Sequence, residues 1–167
     1  MSAMELNGKL ADAFNDQITL ELAASTVYRQ LAIEMDMLSL PGIAGWFRAQ
    51  AAEEVEHAEK FITHMSDRGA HPAIGAIGAP ALSVLTVEAA FEASLAHEKK
   101  VSESIRDLYR LAQNEGEIDS IPLLNWFIEE QVEEEATVGE ILDRVKMISN
   151  DGNGLLRLDS ELASRQA

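Results

Sequence analysis

The chain has 167 residues, 47% of them apolar, with a formal net charge of −16 and no cysteine. This length and apolar content indicate one domain with a substantial core and exclude a disordered acidic tail. The lack of cysteine excludes disulfides and thiolate metal sites, and the acidic balance excludes nucleic acid as an expected partner. No apolar run reaches the ~18 residues that span a membrane and no signal-peptide pattern is present, so we expect a cytoplasmic protein with no membrane partner.

Apolar residues in alternating steps of three and four predict four long helices and a short fifth. Pro41-Gly42 separates the first two helices, Gly69 is the expected C-terminal cap of the second, and Thr86 is the expected N-cap of the third. The predicted bounds, within one domain over 1–167, are about 4–38 for helix A, 43–68 for B, 87–114 for C, 120–149 for D and 154–163 for E.

The connection between helices B and C, about 69–85, contains Pro72, Pro80 and several glycines and is predicted to be extended. Seventeen residues span roughly 55 Å when extended, whereas the 26 residues predicted for helix B are about 39 Å long. The connection is therefore long enough to return along the whole bundle. This predicts an all-α four-helix bundle with one long crossover, in which helix C need not run antiparallel to helix B.

The short helix E carries one apolar stripe, Leu155, Leu158 and Leu162. A helix of about two turns is marginal alone in water, so these leucines must be buried elsewhere. The glycines at 152 and 154 permit the chain to turn away from helix D. This favours burial on neighbouring subunits over burial on the chain's own bundle.

Every long helix places polar residues on its apolar stripe near mid-length. Steps of seven from Phe47 to Phe61 put Glu54 in register with the core, and His57 follows at the i,i+3 spacing of carboxylate-bridged metal ligands. Four carboxylates in one core repel or hold protons unless cations intervene, and mixed carboxylate and imidazole ligands suit iron or manganese. If the stripes are drawn one position wrong, the glutamates are instead solvated. The residues concerned are Glu21 on A, Glu54 and His57 on B, Glu98 on C, and Gln131 and Glu134 on D.

With these residues assembled, the chain resembles a bacterial non-haem ferritin from Leu20 through the fifth helix. The most specific motifs are Glu-Glu-Val-Glu-His at 53–57 and Glu-Glu-Gln-Val-Glu-Glu at 129–134. The resemblance implies a di-iron centre with Glu54 bridging two irons, and Tyr28 and Trp126 fall where the family has a tyrosine and a tryptophan beside that centre. It assigns one iron to Glu21, Glu54 and His57, the other to Glu54, Glu98, Gln131 and Glu134, and a third to Glu53, Glu130, Glu133 and Glu134.

The resemblance further implies a homo-oligomeric shell of 24 subunits that oxidises Fe(II) with dioxygen or hydrogen peroxide and stores the ferric mineral. Bacterioferritins have a haem-ligating Met where this chain has Val55, so no haem is expected. Ile121 and Leu124 stand where animal ferritins have acidic channel residues, and Glu117 and Asp119 are the alternatives for iron entry. The oxidant, the reductant for iron release and co-assembly with another ferritin stay open.

Two other functions compete with iron storage as interpretations of the sequence. One is a di-iron oxidoreductase that acts on peroxide or an organic substrate without storing iron, and the other is a metal-free acidic bundle. The core carboxylates speak against the metal-free bundle, since they cost stability there. The remaining histidines, His64, His71 and His97, lack ligand spacing and are expected at the surface or in loops.

Overall fold

The computed structural model describes residues 5–165. It contains the helices α1 (Gly8–Met37), α2 (Pro41–Asp67), α3 (Val87–Asn114), α4 (Ile121–Ile148) and α5 (Gly152–Leu162), and the all-α fold class is as predicted. None of the helices in this range is long and apolar enough to cross a membrane.

Three helices begin at other residues than the sequence pattern predicts. Helix α2 begins at Pro41 instead of residue 43, because proline fits the first turn of a helix. Met4, the predicted start of the first helix, lies outside the described residues, and α1 begins at Gly8. The residues just before Gly8 are bound to the end of α2, where the Leu6 amide donates to the Arg68 carbonyl at 3.0 Å. The fifth helix begins two residues before the predicted start, because the Asp151 carboxylate accepts a hydrogen bond from the Gly154 amide and caps the helix there.

The predicted caps at Gly69 and Thr86 are confirmed. Gly69 has φ 72°, and the amide of the next residue, Ala70, donates to the Met65 carbonyl at 2.9 Å, which is a helix end that favours glycine. The Thr86 hydroxyl accepts from the Ala89 amide at 3.0 Å and so caps α3.

The crossover between α2 and α3 returns along the bundle on the surface of α1. The Gly75 amide donates to the Thr19 hydroxyl at 2.8 Å, and the Ala73 amide donates to the Asn15 side chain at 2.8 Å. At the far end, Phe47 near the start of α2 packs on Phe91 near the start of α3, with ring centroids 4.8 Å apart. Helices α2 and α3 therefore start at the same end of the bundle and run parallel, as the crossover length allowed.

Helix α5 packs on its own bundle, so the expectation that its leucines are buried on neighbouring subunits is wrong for two of the three. Leu158 and Leu162 are buried in the chain's own core, and Leu155 packs against it half-buried. The reason is a close approach between α5 and the start of α2. A Cβ at Gly42 would lie 1.9 Å from the carbonyl oxygen of Asp159, whose carboxylate accepts from the Ile43 amide at 2.8 Å.

The apolar core consists of two separate clusters, one at each end of the bundle. The cluster around Phe47 and Phe91 includes α5, and the cluster around Phe14, Phe61 and Phe127 fills the opposite end. Between them lies a set of buried polar side chains, which we call the polar layer. Its members are Gln17, Glu21, Gln50, Glu54, His57, Ser94, Glu98, Ser102, Gln131 and Glu134.

Candidate metal centre

The polar layer includes all six residues that the sequence pointed to as di-iron ligands. They come from all four long helices, and none is more than 8% exposed. Each interrupts the apolar stripe of its helix at the height where the two core clusters end, so the helical periodicity alone brings them together. These residues are Glu21, Glu54, His57, Glu98, Gln131 and Glu134.

Two groups of three side chains in this layer are spaced to hold one cation each. In the first, one ligand atom each from Glu21, Glu54 and His57 lies within 4.8 Å of the others; in the second, the same holds for Glu54, Glu98 and Glu134. The two groups share Glu54, whose carboxylate has two oxygens. The geometry therefore suits a pair of adjacent cations bridged by one glutamate.

One carboxylate oxygen of the first group is left without a hydrogen bond. The Oε1 atom of Glu21 accepts from the Gln17 amide at 3.0 Å, but its buried Oε2 accepts no hydrogen bond within residues 5–165 and lies 3.7 Å from His57 Nδ1. A buried carboxylate oxygen without a donor is costly. This oxygen, facing an imidazole nitrogen and a second carboxylate, fits a site that accepts a divalent cation.

Burial favours the neutral form of the carboxyl groups in the polar layer. It raises the pKa of Glu54 and of Glu98 to about 7 and that of Glu134 to about 9, and the neighbouring carboxylates add to each shift. Burial lowers the pKa of His57, but the carboxylates of Glu21 and Glu54 outweigh it and raise that pKa to about 11. The layer thus holds protons at neutral pH, and a divalent cation would displace them.

Gln131 and Tyr28 both bind the carboxylate of Glu98. The Gln131 amide nitrogen donates to Glu98 Oε2 at 3.1 Å and to the Ser102 hydroxyl at 3.1 Å. The Tyr28 hydroxyl donates to Glu98 Oε1 at 2.5 Å and lies 2.9 Å from the Ser94 hydroxyl. Complete burial, and then the charge of Glu98, raise the pKa of Tyr28 well above its usual value. Both side chains therefore hold Glu98 in one orientation.

Gln50 is a residue of this centre that the stripe analysis missed. Its amide nitrogen donates to Glu54 Oε1 at 2.9 Å and to Glu134 Oε2 at 2.9 Å, which links the bridging glutamate on α2 to α4. A sequence feature was available: Gln50 precedes Glu54 by four residues, as Gln17 precedes Glu21, and residues at this spacing face each other on a helix.

The residues proposed for a third iron line a cavity of about 250 Å³ at the edge of the polar layer. Within it, Glu130 and Glu134 come together with His57 as a third group whose ligand atoms lie within 4.8 Å of one another. Glu53 and Glu133 belong to no such group within the described chain. The full lining is Trp46, Gln50, Glu53, Glu130, Glu133, Glu134, Thr137 and Arg165.

Of the other side chains singled out in the sequence, Trp126 and His97 lie beside the polar layer and His71 does not. Trp126 stacks edge-on against His57, with centroids 5.7 Å apart, and is 37% exposed. Both histidines were expected at the surface or in a loop. This is correct for His71, which is exposed in the crossover, but wrong for His97. His97 packs edge-on against Tyr28 at 6.2 Å, and its Nε2 is a buried nitrogen without a hydrogen bond in the described range, because α3 turns it toward α1.

The region expected for iron entry contains an ion pair. Glu117 binds the guanidinium of Arg68, with Nη2 and Oε2 3.1 Å apart, and this contact holds the pKa of Glu117 below its usual range. The half-buried His64, expected at the surface or in a loop, lies 2.8 Å from the Ser120 hydroxyl beside this pair. Glu117 is therefore committed to an arginine within its own chain, which weakens its candidacy as an iron-entry ligand.

Comparisons with known proteins agree on one family. The family model described as a ferritin-like domain matches residues 11–148. The bacterial non-heme ferritin of Staphylococcus epidermidis is 36% identical over 160 residues, covering 96% of each chain, and that of Staphylococcus saprophyticus is 37% identical over the same share. An open pore ferritin from the archaeon Archaeoglobus fulgidus superposes with a TM-score of 0.95 at 34% identity, over 97% of this chain and 100% of that one.

Proposed function

This chain belongs to the bacterial non-haem ferritins, a family of iron-storage proteins, and from that premise we propose that its polar layer is a ferroxidase centre. Fe(II) is the substrate: it binds inside the bundle, is oxidised there to Fe(III), and passes into a mineral held by the assembled shell.

The observation that carries the proposal is the unbalanced charge of the polar layer. Four glutamates and one histidine are buried together, and no lysine or arginine of residues 5–165 is buried among them. Carboxylates in such surroundings need a cation or a proton to be tolerated. Two divalent ions satisfy this demand, and carboxylate with imidazole is a ligand set that suits iron.

The two groups of ligands divide the work between two iron positions. Glu21, Glu54 and His57 hold one Fe(II), and Glu54, Glu98 and Glu134 hold the other. Each Fe(II) gives up one electron, so an adjacent pair supplies the two electrons that reduce dioxygen, with two protons, to hydrogen peroxide. With hydrogen peroxide as the oxidant, two electrons and two protons give two water molecules.

Three further side chains position the ligands. Gln50 donates to the facing oxygens of Glu54 and Glu134 and fixes their separation before iron arrives. Gln131, expected as a ligand of the second iron, directs its amide nitrogen to one oxygen of Glu98 and so, like Tyr28 at the other oxygen, positions that carboxylate. Preorganised ligands lower the cost of gathering four carboxylates around two cations. Tyr28, buried and neutral, is also placed to supply a proton or an electron next to Glu98.

Storage requires a closed or nearly closed particle, and the family supports a shell of 24 subunits. The Archaeoglobus fulgidus relative is an open pore ferritin, and a closed form of it has been engineered. Both shells fit the subunit fold of this chain, so we propose the 24-subunit assembly without specifying its pores. In this proposal, iron passes between the centre and the shell interior through the third iron position, which is lined by Glu53, Glu130, Glu133 and Glu134.

Light scattering combined with iron analysis tests storage against oxidation alone. After aerobic additions of Fe(II), the storage function predicts a particle of 24 chains of 18.3 kDa each, retaining far more iron than its ligands can hold. The matched control is Glu54→Gln, which removes the bridging charge and should assemble equally but load slowly. A small oligomer that retains only about two irons per chain would contradict storage and favour a di-iron oxidoreductase.

A further inference from the structure

The C-terminal segment brings one guanidinium into the acidic cavity at the edge of the polar layer. Arg165 follows the end of α5, and its side chain is 19% exposed. The guanidinium carbon lies 4.4 Å from the centroid of the Trp46 ring, and Nη1 donates to the Trp46 carbonyl at 3.3 Å. A guanidinium stacked on an indole and bonded to the same residue's backbone is held in place.

The same guanidinium binds two side chains of the cavity wall. Its Nη2 lies 3.0 Å from Glu53 Oε1 and donates to Gln50 Oε1 at 2.9 Å. Among the residues lining this cavity there are four glutamates and one cationic side chain, Arg165. Glu53 is the glutamate that this contact holds, and it belongs to no group of metal-spaced ligands in residues 5–165.

Gln50 connects Arg165 to the metal ligands. A guanidinium has only donors and a carboxylate has only acceptors, so an amide between them must offer its oxygen to Arg165 and its nitrogen to the carboxylates. The amide nitrogen donates to Glu54 and Glu134. The bonds to Glu54 and Glu134 set the orientation of this amide, and its oxygen is thereby left to accept from Arg165.

We propose that Arg165 is a tethered counter-cation that occupies the third iron position until Fe(II) displaces it. This inference rests on the proposed function, since it concerns the cavity assigned there to the third iron. The guanidinium neutralises Glu53 and keeps it from the other glutamates, so a third Fe(II) must break the contact between Arg165 and Glu53 before Glu53 can ligate. The third position therefore fills after the two buried positions.

Anaerobic calorimetric titration with Fe(II) of the assembled protein tests this competition. Arg165→Gln removes the charge, and we expect the third Fe(II) per chain to bind about tenfold more tightly, which corresponds to about 1.4 kcal/mol. The two buried positions should keep their affinities. Arg165→Lys keeps the charge and should bind the third Fe(II) as the parent does.

Arg144→Gln is the matched control for charge removal and for loosening of α5. Arg144 pairs with Glu161, so this variant also breaks an ion pair between α5 and the bundle, and Arg144 does not line the acidic cavity. We expect its third-site affinity to equal that of the parent. Tightening of the same size in Arg144→Gln would overturn the inference, because general charge or α5 mobility would then explain it.

Tryptophan fluorescence reports whether Arg165 moves when a third cation binds. The chain has two tryptophans, so Trp126→Phe leaves Trp46 as the single reporter beneath the guanidinium. Titration with Zn(II), which is not oxidised, should change the emission of Trp46 at the third equivalent. The same titration of Trp126→Phe combined with Arg165→Gln should show no change at that equivalent.

The outcomes separate this inference from the ferroxidase proposal. An equal or weaker third site in a folded Arg165→Gln protein overturns the inference, as does an unchanged Trp46 emission in the protein that retains Arg165. Either result leaves the two buried positions in place. Loss of the pair of tight Fe(II) positions in the parent protein itself would instead overturn the ferroxidase proposal.

Discussion

On α2 and α4, three pairs of consecutive residues place their two side chains in different environments. In each pair the second residue is buried in the polar layer, whereas the first faces the cavity at its edge. A step of one residue turns a helical side chain by about 100°, which moves it from the core to the acidic cavity at the edge of the polar layer, which we call the rim. The pairs are Glu53 and Glu54, Glu130 and Gln131, and Glu133 and Glu134.

The two environments balance their negative charge in different ways. In the polar layer, burial raises the pKa of Glu54, Glu98 and Glu134, so protons compensate until metal replaces them. At the rim, an arginine from the C-terminal segment pairs with Glu53 and water reaches the cavity. Under the proposed function, glutamate therefore supplies ligands for a buried iron pair in one environment and for a more exposed third iron in the other.

The largest expected effect is the loss of rapid oxidation when a buried ligand is removed. Glu54→Ala or His57→Ala should slow Fe(II) oxidation at least about a hundredfold, or about 2.7 kcal/mol, because each residue belongs to the ligand set of the first iron. Stopped-flow absorbance after anaerobic loading measures this rate. The matched control is Glu56→Ala, an exposed neighbour on the same helix, which should oxidise iron as the parent does. Unchanged rates in both ligand variants would refute the assignment of these ligands.

Removing α5 should affect the bundle end and the rim but spare the buried ligands. Deletion of residues 154–167 removes Leu158 and Leu162 from the core and Arg165 from the cavity. At ~1.5–3 kcal/mol per buried side chain, each subunit loses about 3–6 kcal/mol of its own stability, and a shell built from less stable subunits should weaken. Light scattering should show smaller or leaking particles, while fast oxidation persists. An intact shell with normal iron retention would show that α5 is dispensable.

Proton release should distinguish the buried layer from the rim by its pH dependence. Metal must displace protons from Glu54 and Glu98 below their raised pKa of about 7, so the protons released per bound Fe(II) should fall as pH rises from about 6 to 8, and affinity should rise. Anaerobic titration in weakly buffered solution measures both quantities. Release that does not vary with pH would contradict the raised pKa values.

The same pKa values affect the stability of the metal-free protein. A carboxyl whose pKa is higher in the folded state than in the unfolded state binds more protons when folded, so these groups make stability fall as pH rises from about 4.5 to about 7. Glu54→Gln removes one such group and should flatten this fall. Thermal unfolding of the apo variant and parent at several pH values within this window compares them.

A change at the rim should have the smallest effect on oxidation. Glu130→Gln removes a charge from the outer cavity, so the first oxidation should stay within about twofold of the parent, or about 0.4 kcal/mol. Turnover over repeated Fe(II) additions should change, because the proposed path of iron out of the centre passes this position. Repeated-addition kinetics test this, and a variant identical to the parent through many additions would remove Glu130 from the pathway.

The sequence predicted the buried layer better than the rim because helical periodicity determines which side chains point inward. The stripes placed Glu21, Glu54, Glu98 and Glu134 correctly on the core faces of four helices. Periodicity carries no information on how helices pack end to end, so α5 was wrongly expected to pack on neighbouring subunits instead of on its own bundle. Arg165 was missed for the same reason, since its contacts depend on where α5 docks.

Contacts between helices were also beyond the pattern. Gln50 lies on the core face of α2, four residues before Glu54, but its bond to Glu134 depends on how α2 and α4 pack. His97 precedes Glu98, and its burial depends on α1 covering that side of α3. Such contacts arise from tertiary packing of specific pairs of helices, which a single-helix pattern does not contain.

Anomalous diffraction at the iron absorption edge, from crystals soaked anaerobically in Fe(II), shows directly whether the polar layer binds a pair of irons. The proposed ferroxidase centre predicts two iron peaks per chain inside the polar layer, roughly 3.5–4 Å apart, with Glu54 in contact with both. One peak should contact Glu21 and His57 and the other Glu98 and Glu134. Iron found only at the protein surface, with none in the polar layer, would refute the proposed centre.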